Sequence, residues 1–201
     1  MFFFSKRDSG TKERFSDIKK NSQCPPQKDK TQSTDIPTPL NLTGLRDTIR
    51  TVLKHNIDLK IIINPMHAYA YENVLKCNND IEYWKNIFQI AEALEQETSK
   101  SSNSIELWNF TGYNKFMAQS VSSKTGIRYW QDPRHYNFEP GNFFMDRMYG
   151  MEILEESEIS NLGFAITTNN LYSNVDKLHK ERELFIQKNP WFLMEYKSLI
   201  N

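Results

Sequence analysis

The sequence is short of several features that would assign a chain to a functional class. Its 201 residues contain only two cysteines, Cys24 and Cys77. Two cysteines are too few for a disulfide framework or a zinc site, so the sequence predicts two free thiols. The four histidines, at positions 55, 67, 135 and 179, lack the spacing of metal ligands. No metal site and no cofactor are therefore predicted.

An excess of charge of either sign is also lacking. The chain has 25 basic and 25 acidic residues, so its formal net charge is zero. Because no global field attracts anions, neither a nucleic acid nor an anionic membrane surface is an expected partner. The apolar runs are too short for a membrane span, and the opening MFFFSKRDSG lacks the apolar region of a signal peptide. The chain as written is therefore expected to be soluble and cytoplasmic.

Residues 1–40 have little capacity to form a core. After a short hydrophobic start, this segment is dominated by Lys, Asp, Ser, Thr, Gln and Pro, without helical or strand periodicity. It is predicted to be a disordered linker or long loop. The 13 Phe, 9 Tyr and 4 Trp of the chain can supply a core for the part that follows.

From residue 41 onward, the apolar spacing predicts a domain of the α/β class. A strand–helix–strand unit is expected over residues 59–110, with a strand buried on both faces at its start. The spacing predicts a first helix with Thr43 as N-cap and Asn56 just past its end, and strands at 59–63 and 104–110. It also predicts a helix within residues 78–100 with Asn79 or Asp80 as its cap, helices at 139–149 and 168–189, and an aromatic tail at 191–201.

The predicted sheet is small. Only two strands are clear, and Met1–Phe4 is a weak candidate for a third, whereas an average sheet has about five or six strands. Because a two- or three-stranded parallel sheet with four helices is not self-sufficient, strands are expected to be missing. The predicted fold is therefore an α/β domain with an incomplete parallel sheet.

The stretch RYWQDPRHYN, residues 128–137, places Asp132 three residues before His135. In a loop, this spacing is typical of the acid and base members of a serine-hydrolase triad. An alternative explains this spacing by local structure alone. Asp-Pro is a frequent helix start, with Asp132 as N-cap and Pro133 at the first helical position, which would leave His135 on the surface.

The ordered set IIINPMHA, IELWNFTGYN, RYWQDPRHY and GNFFMDRM resembles the C-terminal half of SGNH/GDSL-type hydrolases, and more closely an uncharacterised bacterial subgroup of that family. The resemblance covers roughly residues 41–190. It implies a partial three-layer α/β/α fold (SGNH/flavodoxin-like) with an incomplete parallel sheet. It also implies the cleavage or transfer of acyl groups on esters or acylated carbohydrates. Only the last family block is matched, at Asp132 and His135, which would be the catalytic dyad.

The family's nucleophilic serine and oxyanion-hole residues have no match in this chain. Ser9, in RDSG, lacks the strand and amphipathic helix that a nucleophile block requires. The resemblance therefore implies that Met1 begins in mid-domain, with the serine block upstream.

Three further residues are candidates for substrate binding. Asn64 and His67 follow the first predicted strand, at the end where α/β sheets place ligand contacts, and Trp130 adjoins the Asp-Pro turn. The alternative for His67 is a partly buried side chain that is hydrogen-bonded to a neighbouring loop.

Two functions remain open. The chain is either a truncated SGNH-type acyl-ester hydrolase or acyltransferase, inactive alone, or a non-enzymatic interaction module. In the second case it would be a split subunit, completed by a partner chain that carries the serine.

Overall fold

The computed structural model describes residues 15, 18, 19, 22–24, 39–99, 101–122, 127–151 and 162–201. Within them the chain is of the α/β class, as predicted. None of the described helices is long and apolar enough to cross a membrane. The described helices are α1 (Thr43–Lys54), α2 (Ala68–Lys76), α3 (Asp80–Thr98), α4 (Phe138–Tyr149), α5 (Leu171–Lys188) and α6 (Trp191–Ile200). The strands are β1 (Leu59–Ile63), β2 (Ile105–Asn109), β3 (Trp130–Asp132), β4 (His135–Tyr136) and β5 (Phe164–Ile166).

The main sheet has three described strands in the order β1–β2–β5. β1 and β2 are parallel, with Leu59 opposite Ile105 at one end and Ile63 opposite Asn109 at the other. β5 is antiparallel to β2, so the prediction of a purely parallel sheet is wrong. The reason is local, since Gly163 has a φ of +68° and lies against the carbonyl of Asn109. The chain therefore enters β5 at the carboxyl end of β2 and must run back along it.

The predicted strand–helix–strand unit is confirmed, and β1, α3 and β2 lie within two residues of their predicted bounds. The crossover contains a second helix, α2, that was not predicted. Gly150 ends α4 in the left-handed region with a φ of +66°, and Asn56 follows α1 with a φ of +51°. Thr43, predicted as an N-cap, is instead the first residue of α1.

β1 is less buried than its β-branched sequence predicts. All five of its residues are only half-buried, whereas the last three residues of β2 are buried. The cause is position in the sheet, since among the described strands β1 pairs with β2 alone and lies at an edge.

The residues predicted as an aromatic tail instead form α6 and belong to the core. Phe192 is fully buried and stacks on Tyr69, with ring centroids 4.8 Å apart. Tyr196, on the same face of α6, donates a hydrogen bond of 2.7 Å to Asn73 Oδ1 in α2. The largest fully buried side chains are mostly aromatic, namely Trp130, Tyr69, Tyr71, Phe15, Phe110, Phe144 and Phe192.

The described residues of the N-terminal segment depart from the predicted linker. Phe15 and Ile18 are 0% and 1% exposed and are part of the core. Asn73 of α2 donates a hydrogen bond of 3.0 Å to the carbonyl of Ile18. These two apolar side chains are buried although their neighbours in sequence are polar. Composition alone therefore predicted disorder for this segment. The candidate strand Met1–Phe4 and Ser9 lie outside the described residues.

The cysteines form a disulfide between Cys24 and Cys77, so the prediction of two free thiols is wrong. Ile18 and Ser22 are hydrogen-bonded to side chains of α2, and this places Cys24 beside Cys77, the residue that ends this helix. The Cα atoms of Cys24 and Cys77 are 5.2 Å apart. The cysteines are 53 residues apart in sequence. Their proximity therefore depends on tertiary packing, which a count of cysteines does not reveal.

Candidate functional site

Asp132 and His135 lie at the two sides of a tight β-hairpin formed by β3 and β4. Asp132 Oδ1 accepts hydrogen bonds from the backbone N–H groups of Arg134, at 2.8 Å, and His135, at 3.0 Å. Aspartate favours turns because its side chain can bond the backbone two and three residues ahead. The alternative of a helix starting at Asp132 is not what forms, since α4 begins only at Phe138.

The second carboxylate oxygen of Asp132 contacts the imidazole. The distance from Oδ2 to His135 Nδ1 is 2.7 Å, and 72% of the His135 side chain is exposed. This pairing assigns the proton of the neutral ring to Nδ1 and leaves Nε2 as a free base. Among the residues that the structure describes, Nε2 has no hydrogen-bond partner. The pair therefore has the geometry of a general base with its orienting acid.

The electrostatics of Asp132 favour the ionised carboxylate. Partial burial alone would raise the pKa of Asp132. The hydrogen bonds from the Arg134 N–H and from His135 outweigh that effect and hold the pKa below its usual range. An anionic Asp132 can stabilise a positive charge on His135 when the imidazole accepts a proton.

The hairpin is anchored to the segment that follows β1. The backbone N–H of His67 donates a hydrogen bond of 2.9 Å to the carbonyl of Pro133. Asn64 Nδ2 lies 3.4 Å from the carbonyl of Arg134. These contacts place Asp132 and His135 at the carboxyl end of the parallel strand β1. Ligand sites of α/β sheets lie at this end.

His67, a candidate for substrate binding, is fully buried. Its Nε2 is 2.9 Å from the carbonyl of Gln119, and its Nδ1 accepts a hydrogen bond of 3.1 Å from the N–H of Tyr69. These partners require a neutral ring with the proton on Nε2. Both ring nitrogens are used inside the chain, which matches the alternative of a buried histidine bonded to a loop rather than contact with substrate.

We expect the free energy of unfolding to fall by about 3 kcal/mol from His67 alone as the pH drops from about 6.5 to about 4. Burial lowers the pKa of His67 from 6.5 to about 4, whereas the unfolded chain keeps the ordinary value. Protonation in this window therefore favours the unfolded chain, and the full stability is present above pH 6.5. Urea unfolding across this range should give a flatter profile for His67→Gln, and equal slopes would contradict the assignment.

Trp130 and Asn64, the other two candidates for substrate binding, differ in accessibility. Trp130 is 2% exposed, and its Nε1 donates a hydrogen bond of 2.7 Å to the carbonyl of Phe116, so it belongs to the core. Asn64 is exposed beside the turn and remains able to contact a ligand.

Sequence reasoning missed Arg134, which lies between the two residues of the dyad. Its side chain is exposed, and its guanidinium has no ion-pair partner within the described ranges. A cleft of about 200 Å³ adjoins it, lined by Ile18, Ala70, Asn73, Val74, Cys77, Asn79, Pro133 and Arg134. The position of Arg134 inside the Asp-x-x-His motif was the only available signal. The described ranges hold no group of three or more His, Cys, Asp or Glu that could bind a metal ion.

This chain was compared with protein-family models, curated proteins and solved structures. No family model, curated protein or solved structure matches this chain. A functional assignment therefore depends on the Asp132–His135 pair and its surroundings.

Proposed function

We propose that this chain carries the acid–base half of a serine-type acyl-ester hydrolase or acyltransferase of the SGNH type. The observation that carries the proposal is the 2.7 Å contact between Asp132 Oδ2 and His135 Nδ1, on a ring whose other nitrogen is accessible. A carboxylate at Nδ1 with a free Nε2 is the arrangement that a serine triad needs from its acid and base.

In the proposed reaction, a serine hydroxyl from outside the described residues attacks the ester carbonyl. His135 Nε2 takes the hydroxyl proton and later returns it to the departing alcohol, while Asp132 fixes the ring and stabilises the imidazolium. Asn64 and Arg134 are close enough to the turn to contact the substrate. Arg134 suits an ester that carries a negative charge, because its guanidinium is unpaired in the described part of the chain.

The proposal includes the arrangement that would complete the site. The serine block would be contributed with strands that extend the sheet beside β1, giving the three-layer α/β/α domain. Among the described strands β1 pairs with β2 alone, and this supports the step, since its five half-buried and largely apolar residues would become buried by a further strand. The same observation favours the second candidate function, a split subunit whose partner chain carries the serine.

The chain alone is expected to hydrolyse p-nitrophenyl acetate no faster than free imidazole, because none of the described serines is hydrogen-bonded to His135 Nε2. Co-expression with the polypeptide encoded immediately upstream should give a complex in which a fluorophosphonate labels one serine of that polypeptide. His135→Ala should reduce ester turnover of the complex by about 10⁴-fold or more.

The matched control is His55→Ala, which removes another exposed histidine at the end of α1 and should leave turnover unchanged. Ser9→Ala should also have no effect. Labelling and turnover of the complex that survive His135→Ala would rule out the proposed role, and so would an upstream sequence without a nucleophile block. Stoichiometric labelling of a serine in the isolated chain would place the nucleophile within it.

A further inference from the structure

The disulfide between Cys24 and Cys77 differs in accessibility at its two ends. Cys77 is 8% exposed and ends α2, whereas Cys24 is an exposed residue. A thiolate reaches a disulfide through its accessible sulfur, so Cys24 is the end open to attack.

Few polar contacts besides the disulfide hold the described N-terminal residues to α2. Asn73 Nδ2 bonds the carbonyl of Ile18 at 3.0 Å, and Lys76 Nζ bonds the carbonyl of Ser22 at 3.3 Å. The other described attachments are a hydrogen bond of 2.6 Å from Lys19 Nζ to the carbonyl of Asn201 and the burial of Phe15 and Ile18. The disulfide is therefore a covalent link for a segment whose described residues make few other contacts.

That segment contacts the structure that holds the Asp132–His135 turn. Ile18 and Cys77 line the same cleft as Pro133 and Arg134, the two residues of the turn itself. Phe15 packs edge-on against His67, with ring centroids 5.2 Å apart. His67 in turn donates the backbone hydrogen bond that anchors Pro133. Release of the segment would thus remove one wall beside the turn and one face of its anchor.

We propose that Cys24–Cys77 is a thiol–disulfide exchange site whose reduction alters how the Asp132–His135 pair is held. The reductant is a dithiol. One of its thiolates attacks Cys24 Sγ, the S–S bond breaks, and Cys77 leaves as a thiolate that takes a proton from water. The second thiol of the reductant then attacks the mixed disulfide and frees Cys24. The products are two protein thiols and one oxidised dithiol.

The experiment uses the full chain with ¹³C-labelled histidine and dithiothreitol as the dithiol. Reduction should shift the NMR signals of the His67 and His135 rings and leave that of His55, at the end of α1, in place. Trypsin should cut after Lys19 or Lys20 about tenfold faster, because the released segment opens more often. Removal of the reductant with mild oxidation should restore both readouts.

Cys24→Ser supplies the matched control, because it should resemble the reduced chain and no longer respond to dithiothreitol. The proposal is overturned if iodoacetamide modifies both cysteines before reduction, or if the reduced chain keeps its His67 and His135 signals. Collapse of all four histidine signals to unfolded positions would also overturn it, by showing global unfolding instead of a local change. None of these readouts depends on ester chemistry, so the proposal can fail or hold independently of the proposed function.

Discussion

Gly163→Ala is expected to lower the free energy of unfolding by about 3 kcal/mol or more. A Cβ atom at this position would lie 2.3 Å from Phe110 Cδ1 and 2.7 Å from the carbonyl oxygen of Asn109. Phe110 is fully buried, with ring centroids 4.3 Å from Phe144 and 5.9 Å from Trp108, so it has no free space to move into. The left-handed φ of +68° adds about 1–2 kcal/mol for any residue with a side chain.

Two other glycines distinguish the cost of a steric clash from the cost of a left-handed backbone. Gly150 has nearly the same φ, +66°, but a Cβ there meets nothing within 4 Å, so Gly150→Ala should cost only about 1–2 kcal/mol. Gly44 also has open space and lies in α1, where alanine should stabilise by up to about 1 kcal/mol. Urea unfolding of the three variants tests the order. A Gly163→Ala cost no greater than that of Gly150→Ala would show that the sheet end can relax.

Arg182→Met is expected to destabilise the chain by about 3–5 kcal/mol. Glu72 of α2 is 4% exposed and receives two hydrogen bonds of 2.7 Å from Arg182 of α5, one to each carboxylate oxygen. Tyr113 donates a third, also of 2.7 Å. Removing the guanidinium would leave a buried carboxylate with a single donor, and an uncompensated buried charge is unfavourable.

The control is the ion pair between Arg50 of α1 and Glu97 of α3, whose arginine is exposed. Arg50 is bonded to Glu97, but 59% of the Arg50 side chain is exposed, so Arg50→Met should destabilise the chain much less than Arg182→Met. The double variant Glu72→Gln, Arg182→Met should recover much of the loss, because a neutral amide can still accept from Tyr113. Chemical unfolding of all three variants gives the answer. Equal effects of Arg182→Met and Arg50→Met would mean that water reaches the Glu72 carboxylate.

Elements with a strong local pattern could be predicted from the sequence. β1 is a run of β-branched residues, and α3 has apolar residues at helical spacing, so both were found with nearly correct bounds. β5 has only three residues and depends on the left-handed Gly163 for its direction, so it lacks a periodic signal. The core positions of Phe15 and Ile18 were missed because burial depends on distant partners, and their neighbours in sequence are polar.

The same distinction applies to the candidate site. Asp132 and His135 are three residues apart, so their contact is a local property of the turn, and the spacing predicted it. The anchors of this turn, in contrast, use the backbone N–H of His67 and the carbonyls of Pro133 and Arg134. Backbone groups are the same at every position, so the sequence gives no sign of which ones pair. For this reason His67 was a candidate for substrate contact, whereas the structure buries its ring.

β1 and β5, the outer strands of the described part of the main sheet, differ in how readily a further strand could pair with them. β5 offers three residues, and short edge strands are one way in which proteins prevent further pairing. β1 offers five, and its one charged residue, Lys60, is bound to Glu106 on the neighbouring strand, which removes much of the charge that would repel another chain. Within the described strands, a further strand is therefore favoured at β1 over β5. A chain that joins it would add next to β1, on the side whose carboxyl end carries the Asp132–His135 hairpin, and β5 would remain the terminus.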